Sequence, residues 1–260
     1  MNRVLVTGAN GQLGLSIQDI KNDYPELEFI FKDRSELDIA NNDQVKDVFG
    51  SGNFDYCINC AAYTNVDQAE RTPEVAYTIN ADGVKNLAMA CKENNVTLIH
   101  ISTDYVFDGN KREPYTTEDI PNPINEYGKS KWEGENRIQE ILSQYYIIRT
   151  SWLYHKIHGH NFYKTILAKA KKGETINVTD EQVGCPTNAA NLAQFILGLI
   201  SQKEPAFGIF HYTDGLTMTW HDFSKKIIIE NNLRGVATVV RNNNYRSFAR
   251  RPKNSVLKIK

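Results

Sequence analysis

Apolar residues in the first two-thirds of the chain fall into short runs separated by longer polar stretches. Val4–Thr7, Glu28–Lys32, Tyr56–Asn59, Thr97–Ser102 and Tyr146–Thr150 are the runs. They are rich in Val and Ile and mostly lack polar–apolar alternation, the pattern of strands buried on both faces. The stretches between them carry helix signals. Asn41 or Asn42 caps a helix that stops at Gly50, and Thr72 followed by Pro73 supplies an N-cap and a first-turn proline. Val84, Leu87, Ala88 and Cys91 then recur at helical spacing. Strand, helix, strand in this order predicts a doubly wound parallel sheet, because parallel neighbours need crossover connections.

After about Thr150 the rhythm loosens. Phe162 to Lys172 reads as a helix ending at Gly173, and Leu192, Phe195, Ile196 and Leu199 mark another. Gly208–Tyr212 is a late strand, and Thr219 caps a final helix carrying Phe223 and Ile227. The predicted organisation is a domain over residues 1–150 and a smaller C-terminal lobe over 151–260, some of whose segments return to the main sheet.

Composition narrows the function classes. The 260 residues are 41% hydrophobic, enough for a sizeable core, and 30 Lys and Arg against 31 Asp and Glu leave a net charge of -1. No charge excess points to nucleic acid or an anionic membrane surface as a partner. No apolar run approaches the roughly 18 residues of a membrane helix. Met-Asn-Arg runs straight into Val4, without a signal-peptide pattern, so a cytoplasmic protein is expected. Cys57 and Cys60 form a lone C-x-x-C with no second pair, which reads as buried, reduced thiols.

The chemistry begins at the first strand end. Thr7-Gly8-Ala9-Asn10-Gly11-Gln12-Leu13-Gly14 places glycines at G-x-x-G-x-x-G spacing before a helical stretch. Glycine there permits a tight turn and lets backbone N–H groups approach a pyrophosphate, with the helix N-terminus behind them. Between a first strand and a first helix this predicts a Rossmann-like dinucleotide site. The second strand ends in Asp33-Arg34. An acidic residue there binds ribose hydroxyls, whereas an arginine accommodates a 2′-phosphate, so NADH and NADPH both remain open.

Tyr127 and Lys131 are four residues apart at the start of a helical segment and therefore share a face. A close ammonium would lower the phenol's pKa and fit it for proton transfer. The strand before that helix ends in Ser102-Thr103-Asp104, where strand ends meet the ligand crevice. A hydroxyl there can polarise a substrate carbonyl. Thr103 is the choice and Ser102 the competitor, since adjacent strand residues point to opposite faces.

With these motifs the chain resembles the extended short-chain dehydrogenase/reductase family, and within it the dTDP-4-dehydrorhamnose reductases. The resemblance rests on Gly8 to Gly14, Leu37-Asp38-Ile39, NCAAYTNVDQAE from Asn59, Ile79-Asn80-Ala81 and STDYVFDG from Ser102. It continues through Tyr127 to Glu135, RTSW from Arg149, Asn161-Phe162, DEQVGCPT from Asp180 and ARRPKNSVL from Ala249. It implies an NADPH- or NADH-dependent reduction of the C4 keto group of dTDP-4-dehydro-6-deoxy-L-mannose. Tyr127 would donate the proton, Lys131 would tune it, and Thr103 would bond at the reacting centre. Gly8, Gly11, Gln12, Leu13, Gly14, Asp33 and Arg34 would hold the cofactor. Asp38, Ile39, Ala61, Ala62 and Tyr63 would join them, with Tyr127 and Lys131. Asp104, Tyr105 and Trp152 would contact the sugar nucleotide, with Asn161, Gln182 and Arg251 behind them. Asn80 would be a proton-relay amide or a buried structural one.

The resemblance also allows a homodimer. Some relatives use a first-helix glutamate for Mg2+ at a dimer contact. Ser16 stands at that position, so no metal is expected. Relatives usually continue for another helix after the ARRP segment, so a shortened chain or a smaller substrate lobe is expected where this one stops, at Lys260. His155, His158 and His160 read as an exposed loop rather than a zinc site. Lys169, Lys171 and Lys172 suit a helix C-terminus, and Arg246, Arg250 and Arg251 are candidates for a diphosphate. Two other functions compete. An epimerase or epimerase–reductase would recruit Cys185 and His211 as acid–base groups. A cofactor-binding regulatory subunit would tend to have lost part of the Thr103–Tyr127–Lys131 set.

Overall fold

The computed structural model describes residues 1–201, 206–244 and 247–259. Its centre is a six-stranded, wholly parallel sheet. The strands are β1 (Asn2–Thr7), β2 (Leu27–Lys32), β3 (Tyr56–Asn59), β4 (Thr97–Thr103), β5 (Tyr145–Thr150) and β6 (Gly208–His211). Their spatial order is β6-β5-β4-β3-β1-β2. The chain runs outward from β1 to β2, crosses back over β1 to β3, and continues in the other direction. That reversal opens a crevice at the carboxyl ends of β1 and β3.

Helices cover both faces because alternate strand residues point opposite ways. Leu5, Cys57, Leu98 and Ile147 pack with Val45 and Phe49 of α2 (Asn42–Gly52), Leu87 and Cys91 of α3 (Gly83–Glu93), and Ile138 of α4 (Glu126–Ile141). Val4, Val6, Ile58, Ile99 and Ile148 pack on the other side. Their partners are Leu13 and Ile17 of α1 (Gln12–Ile20) and Leu192 and Ile196 of α6 (Ala189–Ser201). A third apolar cluster joins Tyr163 and Ile166 of α5 (Phe162–Lys171) to Phe223 and Ile227 of α7 (Trp220–Glu230). Ile176 and Val239, from the paired strands Thr175–Val178 and Thr238–Arg241, complete it. Although α6 and β6 come late in the sequence, both pack on the main sheet.

Local signals work where expected, with two exceptions. Asn41 caps α2 by accepting from Asp43 and Gln44, and Thr219 caps α7 through Asp222. The former helix runs on to Gly52, past Gly50, and stops where Asn53 turns left-handed at φ 48°. The Thr72 hydroxyl makes no cap: it donates back to the Gln68 carbonyl. The turn Thr78–Asp82 is π-helical and separates the short helix Pro73–Tyr77 from α3.

A buried ion pair sets the height of α4 against the sheet. Arg149 of β5 grips Glu135 of α4 through Nε–Oε1 at 3.0 Å and Nη2–Oε2 at 2.6 Å. Both side chains are essentially out of solvent, and the Ser102 hydroxyl of β4 donates to the same carboxylate. Arg149→Met strands a buried carboxylate. It is expected to cost about 3–5 kcal/mol in urea unfolding, and Arg149→Met with Glu135→Leu should recover most of that loss.

Candidate active site

Two adjoining clefts lie at the carboxyl ends of the strands. The smaller, about 240 Å³, is bounded by the β1 turn, the end of β2 and the end of β3. The larger, about 480 Å³, opens above β4 and β5, and the two share Gly11, Cys60, Ala61 and Ala62.

The β1 turn is built for close backbone approach. Gly8 sits at φ +63°, and a Cβ on it would meet the Ala61 nitrogen at 2.6 Å. A Cβ on Gly14 would meet the Ala9 carbonyl at 2.6 Å, so Gly14 lets α1 pack down rather than lining a cleft. Helix α1 starts after Gly11 with no side-chain cap. Its first-turn N–H groups therefore face the cleft without a side-chain acceptor and suit an anion. These features fit the pyrophosphate of a dinucleotide.

At the β2 end Asp33 accepts from Ser35, Glu36 and Asn10, and those hydrogen bonds, led by Ser35, hold its carboxyl below the usual range. Arg34 is 78% exposed and touches Asp38 at 3.5 Å. Both residues line the smaller cleft with Asp38 and Ile39. Gln12, Leu13, Ala61 and Ala62 line the larger. Tyr63 lines neither. Its backbone is clamped by Asn80, whose Oδ1 accepts from Tyr63 N and whose Nδ2 donates to Tyr63 O and Ser130 Oγ. The buried Asn80 amide is thus committed to holding the β3 loop to α4, the structural alternative of its two readings.

Tyr127, Lys131, Thr103, Asp104, Tyr105 and Trp152 all line the larger cleft. The Tyr127 phenol is hydrogen-bonded with Thr103, and burial raises its pKa. Thr103 also donates to Asp104 and accepts from Tyr105 N. Both neighbouring hydroxyl residues line the cleft, but the Thr103 hydroxyl faces the phenol whereas the Ser102 hydroxyl is spent on Glu135. In this conformation the Lys131 amine is turned toward β4. Its Nζ donates to the Ile101 carbonyl at 2.7 Å and lies 3.1 Å from His100 Nε2, and burial pulls its pKa down to about 8.

Asp104 is buried and accepts from Ser151 at 2.9 Å; desolvation lifts its pKa to about 6. Trp152 holds φ +48°, strained for a bulky residue, and stacks on Trp220 with ring centres 3.4 Å apart.

Three expected substrate residues stand one layer back. Gln182 accepts from Trp220 Nε1, Asn161 caps α5 and reaches Gln12, and Arg251 pairs with Asp67 and bonds Tyr105. Trp220, Gly159 and Thr150 line the cleft without having been singled out from sequence, and His160, read there only as part of an exposed loop, lines it too. Only the cap at Thr219 marked the neighbourhood of Trp220. His155 is buried, not exposed as expected. Its Nδ1 accepts from the Ile157 and His158 backbone, and His158 Nε2 meets Asp19 of α1 at 2.7 Å. Ser16 is buried and donates to Gln12 O. Cys185 and His211, which an epimerase would recruit, line neither cleft; His211 lies against Phe107 and the Tyr115 carbonyl. Cys60 does line both clefts, its thiol pKa pushed up by burial. The lysines at the end of α5 are exposed. Arg250 is exposed, and Arg246 lies outside the described residues.

Residues 1–260 match the family model described as the RmlD substrate binding domain. A dTDP-4-dehydrorhamnose reductase of Aggregatibacter actinomycetemcomitans is 38% identical over 99% of this chain and 90% of its own. A dTDP-4-keto-6-deoxy-D-glucose reductase of Streptomyces niveus is 36% identical over 86% of this chain and 77% of its own. The crystal structure of a Bacillus anthracis dTDP-4-dehydrorhamnose reductase, solved in complex with NADP, superposes with a TM-score of 0.94 at 40% identity, covering 100% of this chain and 92% of that one.

Asp104 makes stability depend on pH. A raised folded-state pKa means that the folded protein holds the proton longer than the unfolded chain, so this contribution is present at acid pH and lost as pH rises from about 4 to 6. Unfolding free energies should carry a fall of about 3 kcal/mol across that window that Asp104→Asn removes. An unchanged pH profile in the variant would contradict the assignment.

Proposed function

The chain belongs to the family described as the RmlD substrate binding domain, and on that premise we propose that it reduces the C4 keto group of dTDP-4-dehydro-6-deoxy-L-mannose to give dTDP-L-rhamnose. The single observation that carries this reading is the meeting, in one cleft, of Tyr127, its Thr103 partner and Lys131 with the β1 glycine turn. A nicotinamide cofactor, when bound along the β1 turn, supplies the hydride that the ketone carbon accepts.

The remaining work falls to the chain's own groups. The phenol of Tyr127 donates its proton to the oxygen that becomes the C4 hydroxyl, so carbon gains the hydride and oxygen the proton. The phenol is protonated at neutral pH and so holds a proton to give; burial, which raises its pKa, opposes release of that proton, so the phenolate has to be stabilised as it forms. Thr103 orients the phenol and can bond the same oxygen. The backbone of α1 and the β1 turn would hold the cofactor's pyrophosphate, and Asp33 and Arg34, which line the smaller cleft, would hold its adenosine ribose. Trp152, fixed by its stack on Trp220, offers a flat apolar wall to the sugar nucleotide. Residues 151–260 form the substrate lobe in this reading, with α6 and β6 lent back to the sheet. Cys185 and His211 lie away from the cleft, which favours reduction over epimerisation.

Tyr127→Phe should lower kcat with dTDP-4-dehydrorhamnose by about 10²–10⁴ with little change in KM. Turnover at the parental rate would refute Tyr127 as the acid. Arg34→Ala should raise KM for NADPH by about tenfold and leave KM for NADH within about twofold, because only the former carries a 2′-phosphate. Equal effects on both would remove Arg34 from phosphate recognition.

A further inference from the structure

His100 lies on β4 beneath the cleft and is fully buried. It belongs to a chain of hydrogen bonds whose direction can be worked out from one end. Asn59 Oδ1 accepts from the Ala61 backbone N–H at 3.1 Å and from the Thr7 hydroxyl at 2.7 Å. A backbone N–H can only donate, so the Asn59 amide cannot be turned over, and its Nδ2 faces His100 Nδ1 at 3.0 Å. An NH2 group can only donate as well. His100 Nδ1 must therefore be the bare, accepting nitrogen, and the ring proton sits on Nε2. That Nε2–H points at Lys131 Nζ, 3.1 Å away, while Lys131 donates to Ile101 O at 2.7 Å.

An ammonium at Nζ would set N–H against N–H where the His100 ring is out of solvent and Lys131 nearly so. A neutral amine completes the chain, because its lone pair accepts from His100 while one of its hydrogens goes to Ile101. We infer that His100, locked by Asn59 as the Nε2–H tautomer, docks Lys131 as a neutral amine, and that protonation of Lys131 expels it from this dock toward Tyr127 in the cleft. His100 is then a positioning residue that makes the lysine's location depend on its charge.

The groups facing Lys131 are few. Tyr127 and Glu135 share its helix, Arg149 neutralises Glu135 from β5, and His100 approaches from β4. Asp104 and Cys60 border the same cleft. Burial acts in the same direction as the hydrogen bonds: it holds Lys131 near 8 and keeps the His100 imidazole uncharged. The inference adds a resting state to the proposed reduction. Above about pH 8 the amine waits on His100, takes up a proton from solvent when polyanionic cofactor enters, and moves to where its charge can steady the phenolate that Tyr127 leaves behind; below that pH the lysine is already charged and undocked.

The inference rests on the reading of Lys131 as the partner of Tyr127, yet its first test needs neither substrate nor turnover. Long-range 1H–15N spectra of the free protein, with His100→Gln used for assignment, should show His100 as the Nε2–H tautomer, untitrated from about pH 6 to 9. A Nδ1–H tautomer or a charged His100 would overturn the dock. Calorimetry of NADPH binding in buffers of different ionisation enthalpy should then show uptake of about one proton at about pH 9 and close to none at about pH 6.5. In His100→Gln, a side-chain oxygen can accept from the ammonium, so uptake at the higher pH should shrink by more than about half. Equal uptake at both pH values, or none at either, would contradict the proposal even if the variant did not fold. If the tautomer and uptake are as expected while Tyr127→Phe keeps full activity, the dock stands and the assigned acid falls.

Discussion

The bidentate grip of Arg149 on Glu135 is the contact on which the cleft's geometry depends. Helix α4 carries Tyr127 and Lys131 on its first turns and Glu135 one turn further on. Because Glu135 is held from β5 by three hydrogen bonds and from β4 by Ser102, the helix has one height and one rotation on the sheet. A buried pair of this kind contributes little net stability compared with apolar packing, since both charges lose their hydration. What it does supply is register. Sliding α4 by one residue would swing the phenol away from Thr103 and break a desolvated ion pair at the same time.

The strand ends complete what the helix begins. Each strand from β1 to β5 delivers one group to the crevice: the glycine turn, Asp33, Ala61, Thr103 and Trp152. A parallel sheet puts all these ends on one side, so polar and strained residues collect there while the strand centres stay apolar. Thr103, Asp104 and Lys131 are buried and Tyr127 is half-buried, and each is satisfied by a neighbour. Their pKa values are moved accordingly: the phenol upward, the Asp104 carboxyl to about 6 and the lysine to about 8.

Much of this was legible because it is local. The Gly8 turn needs a left-handed backbone that glycine supplies freely, and the buried strands announce themselves as unbroken apolar runs. The four-residue spacing of Tyr127 and Lys131 places both at the cleft. Yet spacing on a helix does not say where a long side chain ends, and the Lys131 amine is drawn inward by His100 and Ile101, which come from another element. The same non-locality hid Trp220, which reaches the cleft while packing on the third apolar cluster. The inward turn of Ser102 depends on Glu135, 33 residues away. The π-helical turn at Thr78–Asp82 has no composition signal, and the commitment of Asn80 to Tyr63 depends on a contact 17 residues away along the chain.

The convergence of a hydride donor and the Tyr127 phenol on one carbonyl is tested most directly by isotope placement in the product. Reduction of dTDP-4-dehydrorhamnose with NADPH deuterated at the transferred position should put a single deuterium on C4. The same reaction in heavy water with unlabelled cofactor should put none on any ring carbon. Deuterium entering C3 or C5 from solvent, or failing to reach C4 from the cofactor, would contradict a direct hydride transfer paired with protonation of oxygen alone.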